Sequence, residues 1–453
     1  MKRFHRSFVA VFALLALLLT ACGGTPAASP TTAPAVTTAP AADATTPPTD
    51  ATAPATDATT PPTDATAPAT DATTAPAGEV KITIWHQWDG KYVDAIQAAF
   101  DAYEASHPGV TIDLSKPDDV NNALLVAVPA GEGPDIIGWA NDQIGQSALA
   151  GNIVPLDDYG ITQEFLSSTY EPAAVNGVVW QEKIWGLPES QEGIALIYNK
   201  ALVAEADLPT SLDDLLAKAT AFKDANPDKT YVCNQGFGTA DAYHVAPVYF
   251  GFGVPAYVDA EGMAYVNTPE MIKGGEWLAA MSKVSLSEQS YDICKAALAE
   301  GKVAMWWTGP WAIAGIEEDG VDYGILSMGK PFVGIKTLLL TKNAVDRGNA
   351  EVALDIMKYF TSAEVQKTIA LANKTIPAAT AAVQDAEIQA LPTLAGFGQA
   401  MNAGVPMANT PFASAQWTPV GDASIAIFSG AQAPADALAA AQAAIEDAIS
   451  QMK

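Results

Sequence analysis

Histidine is scarce in this 453-residue chain, with four in all, and no two sit at metal-ligand spacing. Basic residues number 23 against 51 acidic ones, a net charge of −28. A chain this acidic repels nucleic acid and anionic membrane surfaces, so a nucleic-acid partner is excluded. Only 16% of residues are charged and 49% are hydrophobic, which argues against a halophile-style supercharged surface. HExxH, Walker A and GxSxG motifs are missing. Each GxG (at Gly131, Gly236, Gly251 and Gly396) lacks the third glycine of a dinucleotide fingerprint. No metal and no cofactor is expected.

The N-terminus is also short of something. Met1–Arg6 is basic and Phe8–Leu19 is apolar, but this run is too short to span a bilayer and has the length of an export-signal core. It ends in Leu19-Thr20-Ala21-Cys22 followed by Gly23-Gly24, which resembles a bacterial lipobox. The resemblance implies removal of the signal, residues 1–22, at Cys22 and lipidation of that cysteine, so that acyl chains alone hold the protein to the outer face of the cytoplasmic membrane. Residues 23–78 are almost wholly Thr, Pro, Ala and Asp. The segment 43–56, DATTPPTDATAPAT, recurs at 57–70, and a third copy begins at Asp71. With no aromatic residue to offset ordering entropy, this stretch reads as a disordered, proline-stiffened stalk. The other two cysteines, Cys233 and Cys294, either bridge in an oxidising exterior or lie buried as thiols.

Residues 79–453 are enough for two lobes with separate cores. Val80, Ile82 and Ile84 alternate with polar residues as a strand does. Val93, Ile96, Phe100 and Tyr103 follow at helical spacing until His107-Pro108-Gly109. Strands are predicted at Val110–Leu114, Asp135–Trp139, Ile194–Tyr198, Tyr231–Cys233 and Lys302–Trp307. Helices are predicted around Leu124–Val128, Ser211–Ala225, Pro269–Lys283, Ala350–Phe360 and Ala435–Met452. This alternation predicts an α/β fold of two lobes, each a mainly parallel sheet flanked by helices.

In such sheets ligands bind beyond the carboxyl ends of strands. Two such places pair a tryptophan with a carboxylate: Trp88-Asp89 after the first strand, and Trp139 with Asp142 after the third. Each alone fits a packing ring and a helix cap. The pattern repeats, however, in Trp306-Trp307-Thr308-Gly309-Pro310-Trp311 and in the loop-like Ser414–Pro419 around Trp417. Trp306 and Trp307 alternate on a strand, so one of them packs in the core. Flat rings beside acids suit a ligand with an apolar face and a rim of hydroxyls.

Several stretches carry a resemblance over essentially all of 79–453. They are Gly133-Pro134-Asp135-Ile136-Ile137 leading to Trp139 and Asp142, Ile197-Tyr198-Asn199-Lys200, Ala304-Met305 with Gly309-Pro310-Trp311-Ala312, and Lys330-Pro331-Phe332-Val333-Gly334. In this order they resemble the maltose/maltodextrin-binding branch of the solute-binding proteins that serve ATP-driven (ABC) sugar importers. The resemblance implies a type II periplasmic-binding-protein-like fold with an oligosaccharide in the cleft between lobes. It implies lobe 1 from 79–190 and 335–376, lobe 2 from 191–334 and 377–453, a monomer, an ABC permease as partner, and no enzymatic activity. It further implies sugar contacts from Asp89, Trp139, Asp142, Glu192, Asp241, Tyr243, Trp311 and Trp417, with Trp88 adding a ring contact; His244 is either core or contact. The chain departs from the family pattern at Asn121, Asn122, Gln143, Ile313 and Thr418, so ligand class carries over better than ligand identity. Another oligosaccharide is the alternative. A surface hydrolase using Asp89 and Asp142, or an adhesin for polymeric glucan, are further readings.

Overall fold

The computed structural model describes residues 79–88, 92–118 and 120–452, though not the side chains of Asn121 and Asn122. The expected signal (1–22) with Cys22, the stalk (23–78) and Asp89 lie outside the described residues.

Strand β1 (Val80–His86) buries Ile82, Ile84 and His86 and turns Lys81 outward, as its alternation predicts. Helix α1 (Tyr92–Ser106) buries Ile96, Ala99, Phe100 and Tyr103, a single face at helical spacing. After β2 (Val110–Ser115), α2 (Val120–Ala130) and β3 (Ile136–Ala140), the chain reaches β4 (Gly186–Glu192), then β5 (Ala195–Asn199). Next come α3 (Leu212–Ala225), β6 (Thr230–Cys233), α4 (Ala242–Gly251), α5 (Pro269–Met281), α6 (Tyr291–Ala299), β7 (Val303–Thr308) and β8 (Tyr323–Leu326). The return is made by β9 (Phe332–Leu340), followed by α7 (Ala350–Phe360), α8 (Ala363–Asn373), β10 (Ile376–Pro377), β11 (Val405–Pro406), α9 (Trp417–Phe428) and α10 (Pro434–Met452). Helix starts follow local chemistry: Thr268 Oγ1 accepts from Met271 N beside Pro269, and Ser211 and Ser290 cap α3 and α6 in the same way.

Two larger sheets result. One runs β10-β4-β9-β3-β1-β2, with β11 pairing β9; the other runs β8-β5-β7-β6. The β1–β2, β1–β3, β6–β7 and β9–β11 pairs are parallel, but β9 is antiparallel to β3 and β4, and β5 is antiparallel to β7 and β8. The sheets are therefore more mixed than the β/α alternation predicts. Strands that arrive from the other sheet need not run the way a βαβ crossover demands. The chain leaves the first sheet at Glu192 and enters the second at Ala195; β9 brings it back, and Phe397 and Ala400 lie again in a core with Ala195 and Ile197. Among the described residues, one apolar core lies against the first sheet and two against the second.

Cys233, ending β6, is disulfide-bonded to Cys294 in α6, 61 residues on. Both are fully buried. Trp306 and Trp307 are also both fully buried, which corrects the expectation that only one packs inside: β7 lies between β5 and β6 and is covered on both faces.

Candidate functional site

Asn141, just past β3, places the following turn. Its Nδ2 donates to Met407 O at 3.0 Å and its Oδ1 accepts from Ile335 N at 3.0 Å. Asp142 comes next and is buried; its Oδ2 accepts from Gln143 Nε2 (2.8 Å) and Trp417 Nε1 (3.0 Å). Burial pushes its carboxyl up from 3.8 to about 6, against the pull of those two donors and of Lys336. Trp417 is not in a loop, as the sequence suggested, but is the first residue of α9. Pro419 is tolerated there because first-turn N–H groups have no helical partner. Trp139, half-buried in β3, packs against the cores of both sheets, and its carbonyl accepts from Thr337 Oγ1 at 2.9 Å.

Glu192, the last residue of β4, pairs with Lys336 of β9 at 3.2 Å, both largely buried. Gln87, its amide oxygen turned toward Lys336, accepts from Lys336 Nζ and from Ala140 N (3.1 Å). Between β4 and β9 the register slips at Lys336/Thr337: Lys336 faces Ser190 while Thr337 faces Pro188. Glu189 is thus the extra residue of a bulge, and its side chain is re-aimed inward. Its carboxylate accepts from Trp88 Nε1 and Tyr92 OH, each at 3.2 Å. Burial raises it from 4.5 to about 7; Lys336 opposes the rise and Glu192 adds to it.

The second sheet contributes aromatic rings. Trp311 follows β7, its ring folded over Gly309, where any Cβ would lie 2.2 Å from ring carbons. Tyr243 sits 6.4 Å from Trp311, centroid to centroid, and stacks parallel to Phe332 at 6.1 Å; Phe332 also meets the Trp417 ring at 5.5 Å. The Tyr243 hydroxyl is buried and has no hydrogen-bond partner among the described residues. Burial, then the charges of Glu192, Asp241 and Asp142, hold it well above the usual phenol range. Asp241 lies at the N-terminus of α4 and is bound to His244.

The structure thus gathers Asp142, Glu192, Asp241, Tyr243, Trp311 and Trp417, with Trp139 at the junction of the two cores. Trp88 is a correction. It is 3% exposed and packed against His86, Phe100 and Phe360, and it lies on Gly138, whose missing Cβ makes the room. Its ring has no free face for a ligand. Sequence reasoning missed Lys336, Phe332 and Glu189. A lysine inside the apolar run Ile335–Leu340 was a usable signal for the first; nothing local marks a bulge.

Two α/β sheets whose strand ends present rings and carboxylates to one another define a ligand-binding protein of the periplasmic-binding-protein fold. The profile described as "Bacterial extracellular solute-binding protein" matches residues 98–396, and the chain belongs to that family. It is 30% identical over 356 residues to a maltotriose-binding protein of Pyrococcus abyssi, covering 75% of this chain and 76% of that one. It is 26% identical over 327 residues to a maltooligosaccharide ABC transporter solute-binding lipoprotein of Streptococcus pneumoniae, covering 66% and 73%. Among solved structures, it superposes on the maltose/maltodextrin-binding domain of Bdellovibrio bacteriovorus bound to maltotriose with a TM-score of 0.74, at 23% identity, over 82% of this chain and all of the other. The Thermus thermophilus maltotriose-binding protein gives 0.71 at 22% identity, over 81% and 100%.

Proposed function

We propose that the protein captures an oligosaccharide of the maltose/maltodextrin type between its two sheets and delivers it to an ABC importer. The observation that carries this reading is a chain of contacts that brings half-buried rings to buried acids of the first sheet: Trp311 and Tyr243 meet, Tyr243 stacks on Phe332, Phe332 meets Trp417, and Trp417 bonds Asp142, with Trp139 and Glu192 on the sheet whose β3 leads to Asp142. Rings cover the apolar C–H face of a pyranose, and carboxylates accept charge-assisted bonds from its hydroxyls. In this reading Asp89, which follows β1 in the sequence, serves as a further hydroxyl acceptor. The relatives' ligands and the family support the same ligand class.

In this reading lobe 1 comprises 79–190 and 335–376, and lobe 2 comprises 191–334 and 377–453. The chain segments after Glu192, before Phe332 and after Pro377 act as the hinge, and a sugar touching both lobes favours the closed form. The protein acts as a monomer without hydrolysis, tethered through Cys22 at the outer face of the membrane. Calorimetric titration of the purified chain with maltose, maltotriose, trehalose and cyclodextrins tests it. One-to-one saturable binding without reducing-sugar release is the expected result, and silence across the panel overturns the ligand class.

A further inference from the structure

The carboxylate of Asp241 is already committed within the protein. Its Oδ1 accepts from the His244 backbone N at 3.1 Å, capping α4, and its Oδ2 lies 2.7 Å from His244 Nδ1. Gln235 Nε2 reaches Oδ2 as well, at 3.5 Å. A carboxylate on Nδ1 makes that nitrogen the donor, so the neutral ring keeps a lone pair on Nε2.

Nε2 has no partner. It is buried on the ring edge away from Asp241, in a side chain only 8% exposed, and it shares this state with the Tyr243 hydroxyl and Gln235 Oε1. The imidazole stands edge-to-face to Tyr243 (5.3 Å) and to Trp311 (6.0 Å), the two rings of the second sheet assigned above to the ligand. A buried polar atom left unmatched costs about 1–3 kcal/mol, and native proteins keep few of them. Three lie in side chains grouped around Asp241, beside the rings assigned to the sugar, where polar groups of a ligand can complete the bonding. A neutral acceptor next to a phenol, which can donate or accept, suits a hydroxyl: it gives its proton to nitrogen and takes one from the phenol.

We propose that His244 binds a hydroxyl of the ligand through Nε2, with Asp241 as a positioning residue that holds the ring in the Nδ1–H form rather than touching the ligand itself. This rests on the sugar-binding reading and names a specificity-determining contact within it.

The test is calorimetric titration of the full chain with maltotriose at neutral pH. His244→Asn keeps a donor for Asp241 and loses Nε2; its Kd is expected to rise about tenfold or more. His244→Gln can place its amide oxygen near the Nε2 position and is expected to recover part of that loss. Long-range 1H–15N spectra of the imidazole-labelled, unaltered chain add a readout that packing alone would not move. They are expected to show Nδ1 protonated, with Nε2 shifting on addition of maltotriose; the ring is identified by its response to Asp241→Asn. Only four histidines are present, so the spectrum is simple, and it decides the question alone if the Asn variant does not fold. Tight binding by the unaltered chain with an unmoved Nε2, a protonated Nε2, or an unchanged Kd in a folded His244→Asn would overturn the proposal and leave the sugar reading intact. No maltotriose binding by the unaltered chain would overturn the contact to this sugar, and the wider panel then decides the ligand class.

Discussion

Tryptophans at the ends of neighbouring strands lie in different environments here: Trp88 is buried in a core, while Trp139 and Trp311 are half-buried. Trp139→Ala and Trp311→Ala should weaken maltotriose binding on the order of 10- to 100-fold, and, because both rings are only half-buried, should cost less stability than loss of a fully buried ring. Trp88→Ala removes a buried ring that packs on Phe100 and Phe360, so it should lower the unfolding free energy by about 3–5 kcal/mol in denaturant titration. Equal behaviour of Trp88 and Trp311 variants in both assays would sink this division. Titration separates residues as well. Glu189, raised from 4.5 to about 7 first by burial, and Asp142, raised from 3.8 to about 6 for the same reason, are both easier to protonate folded than unfolded. Their contribution is full below the unfolded values and is lost as pH rises through about 6 to 7. Asp241 has the opposite sign: burial alone would raise it, but its electrostatic interaction and hydrogen bonds with His244 lower it from 3.8 to about 2. Its contribution holds above the unfolded value and is lost as pH falls through 2. Stability from these groups therefore peaks in mild acid. The thermal midpoint of the ligand-free protein should be higher near pH 5 than near pH 8, and Glu189→Gln should flatten that slope. For Glu189 the shift corresponds to about 3 kcal/mol.

Among the elements, β9 concentrates the consequences. It pairs with β3 and β4, carries Lys336 among Glu192, Glu189 and Asp142, and starts with Phe332 between Tyr243 and Trp417. Lys336→Met leaves those buried acids without the ammonium that faces them, and removing one partner of a buried pair costs about 3–5 kcal/mol. The loss should be largest near neutral pH and should shrink in acid as the carboxyls take up protons; a pH-independent loss would point to packing instead. The Cys233–Cys294 bridge joins β6 to α6. A closed loop spanning 61 residues corresponds to about 4 kcal/mol of lost unfolded-state freedom. Reduction under partly denaturing conditions should lower the unfolding midpoint accordingly.

At the scale of the whole molecule, the proposed site draws on residues far apart in the sequence. Trp417 Nε1 and Asp142 Oδ2 are bonded across a sequence separation of 275 residues. Small-angle scattering with and without maltotriose should therefore show a smaller radius of gyration in the bound protein. No change on saturation would argue against closure. No helix among the described residues is long and apolar enough to cross a membrane.

Local periodicity revealed which residues form β1, α1, α5, α7 and α10, because burial of one face repeats every two or 3.6 residues and needs no knowledge of a partner. It also exposed the acidic, motif-poor character of the chain and the rings at strand ends. Tertiary structure alone decided the rest: that Trp88 belongs to a core because Gly138 leaves it room, that β9 runs antiparallel to its neighbours, and that Glu189 is turned inward by a bulge. It also decided that Asp241 is taken by His244. Each of these depends on a pairing between segments far apart in sequence or on where a side chain's hydrogen bonds go, and neither leaves a periodic trace in the order of residues.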